Sequence, residues 1–344
     1  MKHYAGIDVS LERSSVCVVD AEGRIVREGK VDSEPEALIA WFAASGFPLE
    51  RTGLEAGPLS QWLHAAMSEA GLAAELLETR HVRNAFKTMP VKTDKKDARG
   101  IAQLMRLGWF RPVRRKSASA QEVRALLTAR RLLQGKLHDV EMSIRGVLRG
   151  FGLKVGATTP RTYAERVQEL VEGHEVLEVI AASLLKAREV LTGEFRSLDR
   201  RLRVIARDDD RTRRLMTTPG VGALVALTFV AAVDDPERFR SSRAVGPHFG
   251  LTPRKYQSGE TDYTGRISKI GDASVRAILY EAATVILCHP VRGSDLKTWA
   301  LAVARRAGMR KARVALARKL AVVLHRMLRD HTVFVAHRGP AMAA

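Results

Sequence analysis

The 344-residue chain holds only two cysteines, Cys17 and Cys288, far apart in sequence. That excludes a disulfide framework and a thiolate zinc site, and fits a reducing cytoplasm. No run of about 18 apolar residues occurs, so neither a membrane span nor a membrane partner is expected. The N-terminus enters a strand directly, without the charged-then-apolar pattern of a signal segment. Acidic residues are scarce, with 38 Asp+Glu against 57 Lys+Arg and a formal net charge of +19. The shortage is uneven. Residues 1–117 carry 18 basic and 15 acidic side chains, 118–210 carry 16 and 14, and 211–344 carry 23 and 9. A net +14 thus sits in the last third of the chain. A single-sign field of that size selects a polyanion, and nucleic acid is the obvious one. A merely solubilising surface would spread the charge along the chain.

Residues 1–110 read as alternating strands and helices. Strands are expected at 3–8, 14–20 and 24–31, with a tight turn at Ala21-Glu22-Gly23. Ser33-Glu34-Pro35-Glu36 has a capping-box pattern with Pro in the first turn, and starts a helix. A strand at 52–55, a helix at 59–70, a strand at 73–78 and a helix from about 94 to 108 follow. Three strands, then helix–strand–helix–strand–helix, is the element order of an α/β RNase H-like fold. Residues 118–207 read as two long helical stretches separated by Gly150 to Pro160, either a coiled-coil-like arm or a helical bundle. Residues 211–335 read as a second, mainly α-helical, basic domain, with helices at 272–288, 293–306 and 309–330. Residues 336–344 read as a frayed tail.

Four carboxylates fall where that α/β order brings them together. Asp8 ends the run Tyr4-Ala5-Gly6-Ile7-Asp8, and Glu55 ends Thr52-Gly53-Leu54-Glu55. Asp94 and Asp97 are three apart at a helix start and share a side of it. Like charges held close need a compensating cation. Hard oxygen donors suit Mg²⁺ or Mn²⁺, and two such ions clamp the attacking and leaving oxygens of a phosphodiester. Each residue also has a bland reading: Asp8 as a turn former, Asp94 as a helix cap, Glu55 as a solvated loop residue.

The basic domain holds Thr217-Thr218-Pro219-Gly220-Val221-Gly222 between two helices. It is either a helix-hairpin-helix, whose amides at Gly220 and Gly222 receive a phosphate, or a Gly-rich helix cap. A loop is expected from Gly250 to Gly271, carrying Arg254, Lys255, Ser258, Arg266 and Lys269. The four cations suit a scissile phosphate. His289, His325 and His331 match no zinc spacing and are expected to be ordinary helix-end or surface residues.

These motifs together resemble the DEDD transposases of the insertion-sequence 110 type, which include bridge-RNA-guided recombinases. In the first domain the resemblance rests on Gly6-Ile7-Asp8-Val9-Ser10, Leu54-Glu55-Ala56-Gly57 and Lys92-Thr93-Asp94-Lys95-Lys96-Asp97-Ala98. In the last it rests on Thr218-Pro219-Gly220-Val221-Gly222, Phe249-Gly250-Leu251-Thr252-Pro253-Arg254, Gln257-Ser258-Gly259 and Gly265-Arg266-Ile267-Ser268-Lys269-Ile270-Gly271-Asp272. The resemblance implies a RuvC-like metal domain over 1–117, with Mg²⁺ or Mn²⁺ on Asp8, Glu55, Asp94 and Asp97. It implies a dimerising arm over 118–210 and a transposase domain over 211–335 with Ser258 as nucleophile. It further implies donor and target DNA as partners, a structured guide RNA, a homodimer or tetramer, and a cytoplasmic, nucleoid-associated prokaryotic setting. No histidine adjoins Ser258, and His248 is the nearest, so the activating base is not readable. Two alternatives stand beside this expectation: a RuvC-like metal nuclease or junction resolvase without a covalent intermediate, and a non-catalytic nucleic-acid-binding protein.

Overall fold

The computed structural model describes residues 2–87 and 91–337. The expected tail lies for the most part outside them. Chain contacts divide the molecule into two units, Met1–Lys116 and Ser117–Ala344.

The first unit follows the expected order. Strands β1 (His3–Asp8), β2 (Arg13–Val19) and β3 (Ile25–Asp32) precede helix α1 (Pro35–Ala43). Then come β4 (Leu49–Glu55), α2 (Ser60–Glu69), β5 (Ala74–Leu77), α3 (Thr79–Ala85) and α4 (Asp94–Leu107). The sheet order is β3-β2-β1-β4-β5. β1 runs antiparallel to β2 and parallel to β4, and β5 is parallel to β4. Period-two alternation sends Ala5, Ile7, Val16, Val18 and Leu54 to one face, against Leu38, Phe42, Leu63 and Met67. Tyr4, Cys17 and Val19 point to the other face, against Ala98, Ile101, Ala102 and Met105 of α4. The expected capping box at Ser33 does not form. Glu34 is the N-cap of α1, and the Ser33 hydroxyl instead donates 2.7 Å to the Ser10 carbonyl and meets Ser14 Oγ at 2.8 Å. A buried serine with two partners is better satisfied there than at a solvated helix end.

In the second unit, α5 (Ala118–Gly150) and α7 (Glu175–Asp208) pair antiparallel, with α6 (Tyr163–Val171) beside them. The ion pairs fix the direction: Arg130 Nε meets Asp199 at 2.7 Å, and Arg188 Nε meets Glu141 at 2.7 Å. Helices α8 (Asp210–Met216), α9 (Ala223–Val233) and α10 (Val245–His248) follow. After a hairpin of β6 (Pro253–Ser258) and β7 (Thr261–Ile267) come α11 (Ala273–Cys288), α12 (Asp295–Ala307) and α13 (Met309–Arg329). α9 is apolar nearly all round and buried from Ala226 to Val233, so it forms the centre of this helical core. α5 and α7 both pack on α9. No described helix is long and apolar enough to cross a membrane.

Candidate active site

Glycine sets the geometry of the carboxylates. A Cβ on Gly6 would lie 2.3 Å from both the Ala98 carbonyl oxygen and the Ala102 nitrogen, so α4 rests on β1 by backbone contact. A Cβ on Gly53 would meet Met105 at 2.8 Å, which brings the same helix down on β4. The parallel register Ile7↔Leu54 puts Asp8 and Glu55 at the same end of neighbouring strands. Both have the parity of the α4 face. Thr93 caps α4, accepting from the Lys96 amide at 3.3 Å, so Asp94 is released from the capping role.

The four carboxylates differ in setting. Asp94 is 57% exposed, with Lys30 at 3.8 Å, whereas Asp97 is 14% exposed, with Lys92 at 3.8 Å. Asp8 is pushed up to about 6 by burial, with added repulsion from Asp97, Asp94 and Glu55 against the opposing pull of Lys92. Burial also raises Glu55, against a hydrogen bond from Thr79 and the charge of Lys92. Asp8 therefore feels the other three, and Glu55 feels Asp97. On the same face Glu28 behaves oppositely. Hydrogen bonds from Arg99 and Lys95 hold it at about 2, with Arg99 Nε at 2.9 Å and Lys95 Nζ at 2.5 Å.

Among the described residues no three His, Cys, Asp or Glu side chains form a closed metal-ligand set. The donor chemistry nonetheless fits a hard divalent cation. Asp8 is an oxygen donor held back by burial and by repulsion from three others, Asp97, Asp94 and Glu55. Ser15, directly opposite Asp8 on β2, has a buried hydroxyl without a hydrogen-bond partner among the described residues. Sequence reading missed Ser15, which only strand register places beside Asp8.

The expected loop from Gly250 to Gly271 is largely a β-hairpin. Ser258 ends β6 and pairs with Thr261 across a two-residue turn, Gly259-Glu260, with Gly259 at φ 55°. The base of the hairpin is clamped. A Cβ on Gly250 would lie 2.2 Å from the Ile270 backbone, and one on Gly271 would lie 2.2 Å from the His248 carbonyl. Arg276, also missed, donates through Nη1 to the carbonyls of Phe249, Ile270 and Gly271 at 3.2, 2.9 and 3.0 Å. Asp272 caps α11 and meets Arg124 at 2.8 Å. Beyond this base nearly every residue of both strands is exposed, including Ser258, Arg254, Lys255 and Arg266; Lys269, just past β7, is exposed too. Arg254 donates to the Ser268 carbonyl at 3.2 Å, and Lys255 pairs with Asp262 at 3.1 Å.

Thr217 to Gly222 joins α8 to α9 as expected. Gly220, at φ 77°, has a packing role there, since a Cβ would lie 2.8 Å from Ile286. His325, expected at a helix end or on the surface, is instead fully buried in the core, where Nδ1 lies 3.0 Å from Ser242 Oγ and Nε2 3.0 Å from the Pro236 carbonyl, so it serves structure. His289 lies just past α11, and His331 is exposed just past α13.

Residues 5–152 match a DEDD transposase model of the IS110 type, and residues 212–297 match the model described as "Transposase IS116/IS110/IS902 family". The chain is 28% identical over 333 residues to the transposase for insertion sequence element IS1111A of Coxiella burnetii, covering 94% of this chain and 88% of that one. It is 26% identical to the transposase for insertion sequence element IS1328 of Yersinia enterocolitica, covering 78% and 80%. Thermus thermophilus RuvC aligns with 32% of this chain and 99% of its own, at 18% identity and a TM-score of 0.26. With one family model on the carboxylate unit, another on the serine hairpin, and insertion-sequence relatives spanning most of the chain, this protein belongs to the IS110-type transposases and is a DNA transposase.

Proposed function

We propose that the protein cuts and rejoins donor and target DNA through a covalent serine link, assisted by Mg²⁺ or Mn²⁺ and directed by a structured RNA. The observation that carries this reading is the placement of Asp8 and Glu55 at the same end of neighbouring strands on the α4 face, with Asp94 and Asp97 in the first turn of α4 near enough to repel Asp8. These four residues would hold the cation, with Ser15 Oγ beside Asp8 as a donor to the same site. When bound, the cation supplies a positive charge that steadies the phosphate and lowers the proton affinity of oxygens near it. Ser258 Oγ attacks the DNA phosphorus, an Oγ–P bond replaces the bond to a sugar oxygen, and the freed sugar takes a proton. Attack by another sugar hydroxyl reverses the exchange. The phosphodiester energy is kept, which simple hydrolysis loses. Arg254, Lys255, Arg266 and Lys269 hold the phosphate, and the amides of Gly220 and Gly222 receive a neighbouring one.

The 1–117, 118–210 and 211–335 regions divide the work into metal chemistry, assembly and strand transfer. The paired α5 and α7 expose Leu132, Met142, Val176, Val179 and Val190, an apolar surface suited to a dimer or tetramer. RNA guidance rests on the family alone.

The test is adduct trapping. Wild-type protein on a nicked recombination substrate gives an SDS-resistant protein–DNA adduct that maps to Ser258. The Ser258→Ala variant gives no adduct and no recombinant, while still assembling on nucleic acid. Cleavage without any adduct, or recombination by Ser258→Ala near the wild-type rate, would hand the function to the metal-nuclease or resolvase reading.

A further inference from the structure

The hairpin carries a feature that phosphate binding leaves unused. Tyr256 and Tyr263 are directly paired across β6 and β7. Their rings stack with centroids 5.3 Å apart and planes 24° off parallel. They are 52% and 59% exposed. The chain has only five tyrosines, so two of them side by side in solvent is a concentrated use of a scarce residue. Alternation along the strands puts Ser258 and Thr261 on the same face as the tyrosines, one pair nearer the tip. On the other side of the pair stands Gly265, whose missing Cβ would sit 4.0 Å from Arg254 Cβ. One ribbon face therefore presents a hydroxyl and an aromatic pair in line, with Arg254 packed beside Gly265 next to the β-bulge that shifts the register. Lys255, Gln257, Asp262 and Thr264 occupy the opposite face.

We infer that Tyr256 and Tyr263 form a stacking platform that holds an unpaired DNA base beside Ser258 while its phosphate is attacked. Ring faces accept any base, so such a platform binds strands without reading sequence. The occupant is DNA because the platform shares its face with the residue that engages DNA, and because the surrounding region is strongly cationic. This inference rests on the serine reading given above. The tyrosines are positioning residues: they order the strand and leave bond making to Ser258. A cross-strand aromatic pair also steadies a hairpin. β-branched residues would do the same without a π-face, and the test uses that difference.

Full-length protein is titrated into single-stranded DNA with 2-aminopurine in place of one base, and separately into intact duplex. Wild type quenches the probe. Tyr256→Val/Tyr263→Val keeps strand-forming residues and removes the rings. It loses the quench and binds the single strand about tenfold more weakly, with less than twofold change on duplex. Tyr256→Phe/Tyr263→Phe restores both quench and affinity. Gln257→Ala, on the opposite face, matches wild type. The Ser258→Ala variant also quenches normally, because stacking precedes chemistry. A ring-free variant that binds and quenches like wild type overturns the platform. So does a Phe variant as weak as the Val variant, or a quench seen only with RNA of the same sequence. Loss of quench in the Val variant together with recombination by Ser258→Ala would retain the platform and remove the serine reading, so the two fail separately.

Discussion

The carboxylates of the first unit and the serine of the second are positioned by opposite means. Asp8, Glu55 and Asp97 lie where a helix is pressed onto a sheet by backbone contact at Gly6, and they are partly withdrawn from water. Ser258 lies at the tip of a ribbon whose strands are solvated, fixed only at a glycine-clamped base. The first arrangement holds repelling carboxylates in a packed frame partly shut from water. The second carries its cations on exposed strands, where solvent screens their repulsion. Charge substitutions should therefore change the stability of the first unit and scarcely that of the hairpin. Removal of either chemical group should stop the reaction.

The largest expected effect sharpens this contrast within one residue. Asp8→Asn should lower strand cleavage by about 10³-fold or more, since the cation loses a central ligand. The same change should stabilise the metal-free protein by about 2 kcal/mol at neutral pH, after allowing for partial solvent exposure. A strand-cleavage assay checks the first, and thermal melts with and without Mg²⁺ check the second. A variant that cleaves normally, or melts lower than wild type without metal, would break the comparison. Ser258→Ala should match the loss of activity and leave the melting temperature unchanged.

Next in size are the glycines. Gly6→Ala drives a methyl into two backbone atoms that cannot move independently of β1 and α4, and should destabilise by about 3 kcal/mol. Gly250→Ala meets the Ile270 backbone as closely and adds strain at φ 66°, so its effect should be comparable. Gly259→Ala has open space around it and only the φ 55° strain, and should cost about 1 kcal/mol. Chemical denaturation ranks the three. Equal effects at Gly250 and Gly259 would mean that the hairpin base is not clamped.

These glycines also mark where sequence reading stopped. The central strands of the first unit were legible because burial on both faces writes short apolar runs bounded by turn residues, and the acidic run ends followed from them. The role of Gly6 was hidden, because a close approach is a property of two segments distant in sequence. Ser15 was hidden for the same reason: register alone sets it opposite Asp8. The hairpin was read as a loop because both its faces are exposed, so no apolar alternation announces it. The signal that could have found it is Ser258-Gly259-Glu260-Thr261 between two runs holding Tyr256 and Tyr263. The short helix α3 follows β5 without a side-chain cap and carried no start signal.

A pH series separates the two kinds of carboxylate on the α4 face. Asp8 has a folded value of about 6, above its ordinary 3.8, so its penalty is absent below about pH 4 and complete above pH 6. Glu28 has a folded value of about 2, below its ordinary 4.5, so its contribution is complete above pH 4.5 and is lost as pH falls toward 2. The gain from Asp8→Asn should therefore vanish on acidification from pH 7 to pH 4. The loss from Glu28→Gln, about 1 kcal/mol for this largely solvated group, should persist over that range and vanish only below it. Parallel profiles for the two variants would show that Arg99 and Lys95 do not distinguish Glu28 from the site carboxylates.

The smallest effect belongs to the helical core of the second unit. His325 accepts from Ser242 through one ring nitrogen and donates to the Pro236 carbonyl through the other, an arrangement only the neutral ring can satisfy. Burial lowers its proton affinity below the ordinary 6.5, against the bond to Pro236. The unfolded chain then binds the extra proton first as pH falls, so the contribution of His325 is complete above pH 6.5 and declines below it. Protonation turns the acceptor toward Ser242 into a donor. The hydroxyl can still accept, so the loss is about one neutral hydrogen bond, ~1 kcal/mol. The difference in stability between wild type and His325→Gln should be larger at pH 8 than at pH 5.5. Because the ring bonds to Ser242 and Pro236 and to none of the proposed phosphate-binding residues, DNA affinity measured at the two pH values should not show the same difference. A flat stability difference would mean that the folded ring takes up its proton as readily as the unfolded one over this range. A matching change in affinity would mean that the core and the hairpin it supports are coupled, and that the solvated ribbon is held more tightly than its exposed strands indicate.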